Sequence, residues 1–224
     1  MKKTTLITGA SGGLGKEFAK IHAKNGGDLV IVARSKNKLL KLKEQLEKKH
    51  GVHVSIIKKD LTEPNAAQEV YNFVKFSKIE IDYLINNAGF GGIGKFHERA
   101  WAQDLAMIQL NIIALIDLTR KFLPDFVKRN NGKILNVSST ASLMAGPMQA
   151  VYFATKAFVT SFSNAIAEEL HDTNISVTTL MPGTTKTDFG ETSGMDKTAL
   201  FENAADPKVV AQEGYDAKIG RAHV

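Results

Sequence analysis

Apolar positions along the chain fall into two alternating textures. Short, almost unbroken apolar runs cover Thr4–Thr8, Asp28–Ala33, Val52–Ile57, Ile79–Ile85, Lys133–Ser139 and Ile175–Leu180, and they read as strands. Their uniform apolarity suits strands buried on both faces of a parallel sheet. Between them, apolar residues recur at helical spacing. Helices are predicted over Lys16–Asn25, closed by Gly26-Gly27, and over Lys36–Lys49, with Leu39, Leu42 and Leu46 on one face and a stop at Gly51. A third runs to Phe76 with Thr62 as N-cap and Pro64 in its first turn. Trp101–Arg129, tightened or kinked near Pro124, Val151–Leu170 and Pro207–Lys218 complete the set. Strand and helix alternate without a linker. The expectation is a single α/β domain over residues 1–224: a doubly wound parallel sheet with right-handed crossovers, helices on both faces, and ligands at the carboxyl ends of the strands.

Three segments break the pattern. The glycine-rich loop Phe90–Gly94 is expected to be mobile or close to a ligand. Thr184–Ala205 has no clear period over more than twenty residues, which predicts a substrate lid or helical flap. The chain ends at Ala222-His-Val224, where a closing strand is expected to begin, so the sheet is expected to lack its last strand.

Composition narrows the function classes. At 43% hydrophobic and 23% charged residues, the chain has the make-up of an ordinary globular protein. No apolar run approaches the roughly 20 residues that cross a bilayer, so neither a membrane nor a signal peptide is expected. Cysteine is absent, which excludes disulfides and thiolate metal sites and is compatible with a cytoplasmic location. No metal site is expected. Seven basic and two acidic residues between Arg34 and Lys49 hold most of the formal charge of +6. Without interleaved aromatic residues they read as a solvated helix face with a local anion near Arg34, and no nucleic-acid partner is expected.

The candidate chemistry collects at the predicted strand ends. Gly9-Ala-Ser11-Gly-Gly13-Leu14-Gly15 joins the first strand to a helix, where backbone N–H groups can hold a pyrophosphate. The second strand ends at Arg34 with no carboxylate, which favours the 2′-phosphate of NADP(H) over the ribose hydroxyls of NAD(H). Asp60-Leu61 either flanks an adenine or opens a turn. Asn86-Asn87-Ala88-Gly89 supplies small residues and amides, and Asn111 interrupts an apolar helix. Tyr152 and Lys156 stand four apart on a helix, hence on one face, with Ser139 at the end of the preceding strand. An ammonium beside a phenol lowers its pKa, and the serine hydroxyl can polarise a carbonyl that the tyrosine protonates. Taken alone, the pair more often marks an amphipathic helix edge and a solvated charge.

In that order and spacing, these residues together with Pro182-Gly183-x3-Thr187 resemble the short-chain dehydrogenase/reductase (SDR) family over essentially the whole chain. The resemblance implies a Rossmann fold and hydride transfer between NADP(H) and a carbonyl or secondary alcohol. It assigns Tyr152 as general acid/base, Lys156 to lowering its pKa and holding the nicotinamide ribose, Ser139 to orienting the carbonyl, and Asn111 to positioning a water. Gly9, Gly13 and Gly15 would line the pyrophosphate, and Pro182 to Thr187 the nicotinamide end. A homodimer or homotetramer is implied. Gly12 occupies a position where some NADP-preferring relatives carry a basic residue, so Arg34 bears that assignment largely alone. The alternative is a non-catalytic NADP(H)-binding sensor or scaffold of the same fold, against which the retention of Asn111, Ser139, Tyr152 and Lys156 argues.

Overall fold

The computed structural model describes residues 2–194 and 203–219. Strands β1 (Thr4–Thr8), β2 (Asp28–Ala33), β3 (Val54–Lys58), β4 (Tyr83–Asn86), β5 (Gly132–Val137) and β6 (Ile175–Leu180) form one parallel sheet in the order β3-β2-β1-β4-β5-β6. The chain reverses its direction of travel across the sheet between β1 and β4, where Thr5, Leu6 and Ile7 pair with Tyr83, Leu84 and Ile85. Such a switch point leaves a crevice beyond the strand ends.

Neighbouring residues on each strand feed opposite cores, as the two-residue period requires. Leu6, Val30, Leu84 and Ile134 pack with Phe122 and Phe126 on one face, while Ile7, Ile31, Ile85 and Leu135 pack with Phe18 and Leu39 on the other. The helices are α1 (Gly13–Lys24), α2 (Lys36–His50), α3 (Ala66–Phe76), α4 (Trp101–Ile108), α5 (Leu115–Arg129), α6 (Ala150–Glu169), α7 (Phe189–Ser193) and α8 (Pro207–Ile219). By length and composition the continuous run Trp101–Arg129 is apolar enough to cross a bilayer. Its Leu118, Phe122 and Phe126 are buried in the core beside the sheet, while Trp101, Leu105 and Ile113 are exposed.

Several boundaries differ from the sequence expectation. α1 starts at Gly13 rather than Lys16, so two of the loop glycines belong to its first turn. Thr62 does not cap α3: its N–H and hydroxyl donate to the Asp60 carboxylate at 3.0 and 2.8 Å, and the helix begins after Asn65 at φ 60°. β3 and β4 begin two and four residues later than expected, at Val54 and Tyr83. α5 runs through Pro124 unbroken, and the irregularity lies upstream as a π-helical turn over Gln109–Ala114. The first half of the lid is a loop followed by α7, tied back where Lys186 N–H donates to Ala205 O at 2.9 Å. Residues 195–202 of that segment and the expected start of a last strand at Ala222 lie outside the described residues.

Candidate active site

The switch point is held open by side chains that bind backbone. Thr8 Oγ1 accepts from the N–H groups of Asn87 and Ala88 at 3.0 and 2.9 Å, and Asn87 Nδ2 donates to Thr8 O at 2.9 Å. Thus Asn87 clamps the end of β4 to the end of β1. Gly9 stands at φ +67°, and a Cβ there would meet Asn87 Nδ2 at 2.8 Å. At Gly15 a Cβ would lie 2.4 Å from Gly9 O, so this glycine lets α1 pack directly on the loop. The cap residue of α1, Gly12, makes no side-chain cap, and the first turn contains no acid. The opening N–H groups of the helix therefore lack a side-chain acceptor and favour an anion there. These features fit a dinucleotide pyrophosphate.

One cleft of about 690 Å³ extends from this loop to α6. Such a volume suits a cofactor together with part of a substrate. At one end Arg34 is 76% exposed and reaches Asp60 with Nη1 to Oδ2 at 4.0 Å. Burial opposes ionisation of Asp60, but the two Thr62 bonds and the nearby Arg34 and Lys59 charges outweigh it and hold the carboxyl below its ordinary value. Lys38, three residues past the N-cap Ser35 of α2, reaches Asp188 across the cleft at 3.8 Å.

The other end is buried. Tyr152 is 7% and Lys156 6% exposed, both on α6. The Tyr152 ring packs against Phe153 and Phe189, with centroids 6.1 and 5.5 Å away, and the Lys156 ammonium lies 5.9 Å from its centroid. Lys156 Nζ donates to Val137 O at 2.9 Å. Burial pushes the tyrosine up to about 12, against a lowering by its hydrogen bond with Ser139, and it pulls the lysine down to about 8. The net direction for the phenol is opposite to the sequence expectation, because desolvation at this depth outweighs what its neighbours return. Ser139 caps a 3-10 turn, Thr140–Leu143; its hydroxyl accepts from Ala141 N–H at 3.1 Å and donates to Pro182 O at 3.3 Å. That bond joins the ends of β5 and β6 beside the phenol.

Asn111 sits behind the cleft wall in the π turn and is 1% exposed. Its side chain accepts from Phe90 N–H at 3.1 Å and donates to Phe90 O and Thr155 Oγ1, both at 3.0 Å. An inserted π turn commonly serves to aim such a group. The loop after β4 is thereby pinned rather than free. Arg99 Nη1 donates to Ile93 O at 2.9 Å while Arg99 Nε holds Asp104 Oδ1 at 2.7 Å, and Gly94 N–H donates to Met148 O at 2.8 Å.

Of the residues singled out in the sequence, Gly9, Ser11, Gly13, Leu14, Arg34, Asp60, Leu61, Asn87, Ala88, Gly89, Ser139, Tyr152, Lys156, Pro182, Gly183 and Thr187 all line this one cleft. Gly15 and Asn111 do not; they shape it from behind. The sequence reading missed Lys38, Gln149, Asp188 and Phe189, which also line it. Lys38 left a trace in the basic run beside Arg34, and Asp188 and Phe189 lie in the expected lid; Gln149 left none. No cluster of potential metal ligands occurs among the described residues.

The family model for short chain dehydrogenases matches residues 3–198. The chain is 28% identical to a 7beta-hydroxysteroid dehydrogenase of Mediterraneibacter gnavus over 96% of its own length and 82% of that protein. It is 34% identical to the NADP-dependent 3-hydroxy acid dehydrogenase of Schizosaccharomyces pombe, over 84% and 73%. Among solved structures, a short-chain dehydrogenase from Sphingobium yanoikuyae in complex with NADPH superposes with a TM-score of 0.93 at 32% identity, over 99% of this chain and 86% of that one. The glycine turn, the switch-point cleft and the Ser139-Tyr152-Lys156 constellation accord with this kinship: the chain belongs to the short-chain dehydrogenase/reductase family of oxidoreductases.

Proposed function

We propose that the protein is an NADP(H)-dependent reductase of carbonyl compounds, working reversibly on the matching secondary alcohols. The observation that carries this reading is the convergence of Ser139, Tyr152 and Lys156 in the same cleft as an uncapped, glycine-built helix start. Arg34, with no acidic residue closing β2, supports NADP(H) over NAD(H), as does the NADPH held by the Sphingobium relative. Bound NADP(H) supplies the hydride in reduction and accepts it in oxidation. Ser139 directs its hydroxyl at the substrate carbonyl oxygen and Tyr152 donates a proton to that oxygen, so C=O becomes CH–OH. Burial keeps the phenol protonated at neutral pH, the state from which a proton donor starts, while making it a weaker acid than a free tyrosine. Lys156 holds the nicotinamide ribose, and Asn111 fixes the loop that walls the site.

Two or four copies of the chain form the working assembly in this proposal. Trp101, Leu105 and Ile113, exposed along the long helical run, support it, and light scattering counts the subunits.

The test is NADPH oxidation, followed by absorbance, across a panel of ketones and aldehydes, with NADH run beside it. Turnover with NADPH preferred is the expected result. Tight NADPH binding without turnover on any substrate would instead identify a redox sensor.

A further inference from the structure

The cleft is chemically divided. Its charged lining residues are Arg34, Lys38, Lys59, Asp60 and Asp188, besides Lys156. The first four stand at the ends of β2 and β3 and on the first turn of α2, and Asp188 sits over Gly12, where a Cβ would be 3.2 Å from its Oδ2. Tyr152 instead shares an apolar cluster with Phe90, Ala141, Phe153 and Phe189, which also line the cleft. Among the described residues, no cation lines that end except Lys156, whose ammonium is engaged by Val137 O. A carboxylate or phosphate entering there would lose its water without gaining a partner. An apolar body would gain burial against three aromatic rings.

Besides Ser139, the Tyr152 hydroxyl and Lys156, a further polar group stands at that end. Gln149 lines the cleft, and its Oε1 is buried with no hydrogen-bond partner. Among the described residues, the three other buried side-chain atoms in that condition, on Asn86, Arg129 and Thr178, do not line the cleft. Its backbone is fixed: Gln149 N–H donates to Gly146 O at 3.0 Å, and the preceding Met148 is held at φ 66° by the bond from Gly94 N–H. A rigidly placed carboxamide left unsatisfied in an apolar wall is costly unless a ligand completes it. Its terminal torsion is soft, so it can present either oxygen or nitrogen.

We infer that the substrate is an uncharged, bulky apolar ketone, or its secondary alcohol, that carries a hydroxyl group read by Gln149. This rests on the reading of the site as an NADP(H)-dependent carbonyl reductase. The hydroxyl can donate to Oε1 and accept from Nε2, so it satisfies the carboxamide in either orientation. Specificity of this kind discriminates strongly, because the analogue lacking the hydroxyl leaves a buried polar group unpaired.

The experiment compares initial rates with NADPH on four probes: 1-decalone, a set of monohydroxylated 1-decalones differing in hydroxyl position, acetone, and a decalone bearing a carboxylate. The expected order in kcat/KM places decalone at least tenfold above acetone and at least a hundredfold above the carboxylate. One hydroxylated isomer gains at least tenfold over decalone. Gln149→Leu removes that gain, lowering kcat/KM for the favoured isomer at least ten times more than for decalone, with NADPH affinity followed by fluorescence as the control for cofactor binding. Preference for the carboxylate or for acetone overturns the inference while leaving the reductase reading intact. So does a Gln149→Leu enzyme that discriminates the isomers as the parent does. NADPH binding with no turnover on any probe or on the broader carbonyl panel overturns both.

Discussion

The two ends of the cleft solve opposite electrostatic problems. At the β2 end, Arg34, 76% exposed, pairs with Asp60 at 4.0 Å, and Lys38, 61% exposed, pairs with Asp188, 74% exposed, at 3.8 Å. Each contact is weak and screened, and each is free to exchange its partner for a ligand charge. At the α6 end the tyrosine and lysine are largely buried, and the same desolvation pushes their pKa values apart, up to about 12 and down to about 8. In the proposed reading, binding selectivity rests on replaceable surface charges and the chemistry on largely buried groups. Substitutions at the buried end should act on turnover and on pH dependence, and those at the exposed end on cofactor affinity alone.

The largest contrast comes from Tyr152→Phe. It removes the proton donor and leaves the ring contacts to Phe153 and Phe189 in place. Steady-state turnover should fall at least about a thousandfold, at the level of general acid catalysis, while NADPH affinity changes by less than about tenfold. Retention of more than a tenth of kcat would remove Tyr152 from the reaction.

Lys156→Met should abolish most activity as well, yet it should not destabilise the fold at pH 7. Its ammonium is buried with a single backbone acceptor, and the group's pKa falls from 10.5 to about 8. A depressed lysine binds fewer protons in the folded state than in the unfolded state between those two values. Stability from this group is thus lowest below pH 8 and rises as pH climbs from about 8 to 10.5, by up to about 3 kcal/mol. Chemical denaturation at pH 7.5 and 10 should show that rise in the parent and a smaller one in Lys156→Met. Equal pH dependence in both proteins would mean that the ammonium is not desolvated as the structure indicates. Above pH 10 the raised tyrosine acts in the opposite sense, since the unfolded phenol ionises first.

At the exposed end the effects shrink. Arg34→Ala should weaken NADPH about tenfold, the scale of one charge-assisted hydrogen bond at a solvent-exposed site, and NADH by less than threefold. Titration of cofactor fluorescence at low and high salt separates the two. Equal losses would place the arginine away from the 2′-phosphate.

How far the sequence carries depends on the same division. The strands, the helix faces and the cleft residues on strand ends follow from local periodicity and spacing, which is why Ser139, Tyr152 and the glycine loop fall where expected. The π turn does not: it exists because Asn111 meets Phe90 and Thr155, partners 21 and 44 residues away. Thr62 reads as a helix cap until its hydroxyl is seen on Asp60. The loop at Phe90–Gly94 reads from its glycines as mobile or close to a ligand; Phe90 lines the cleft, and Gly92 and Gly94 make room for the Arg99 side chain that pins the loop. The direction of the tyrosine shift was illegible for the same reason. Spacing puts a lysine beside it, whereas depth of burial is a property of the assembled fold.

Asp188 tests the comparison at its finest. Its carboxylate stands over Gly12, at the helix start that favours an anion, and holds Lys38 at 3.8 Å. A bound pyrophosphate must share that space with a like charge, and a 2′-phosphate competes for the same lysine. Replacing the carboxylate in Asp188→Asn removes the repulsion and keeps the side chain's size. Because the group is 74% exposed, the gain is bounded by what surface charges contribute, about 1 kcal/mol or fivefold at most. Both cofactors should bind two- to fivefold more tightly at low salt, with the difference vanishing at about 1 M salt, where screening lengths drop to about 3 Å. A loss of affinity instead would show that the carboxylate is a contact for the dinucleotide and not a charge that the dinucleotide must displace.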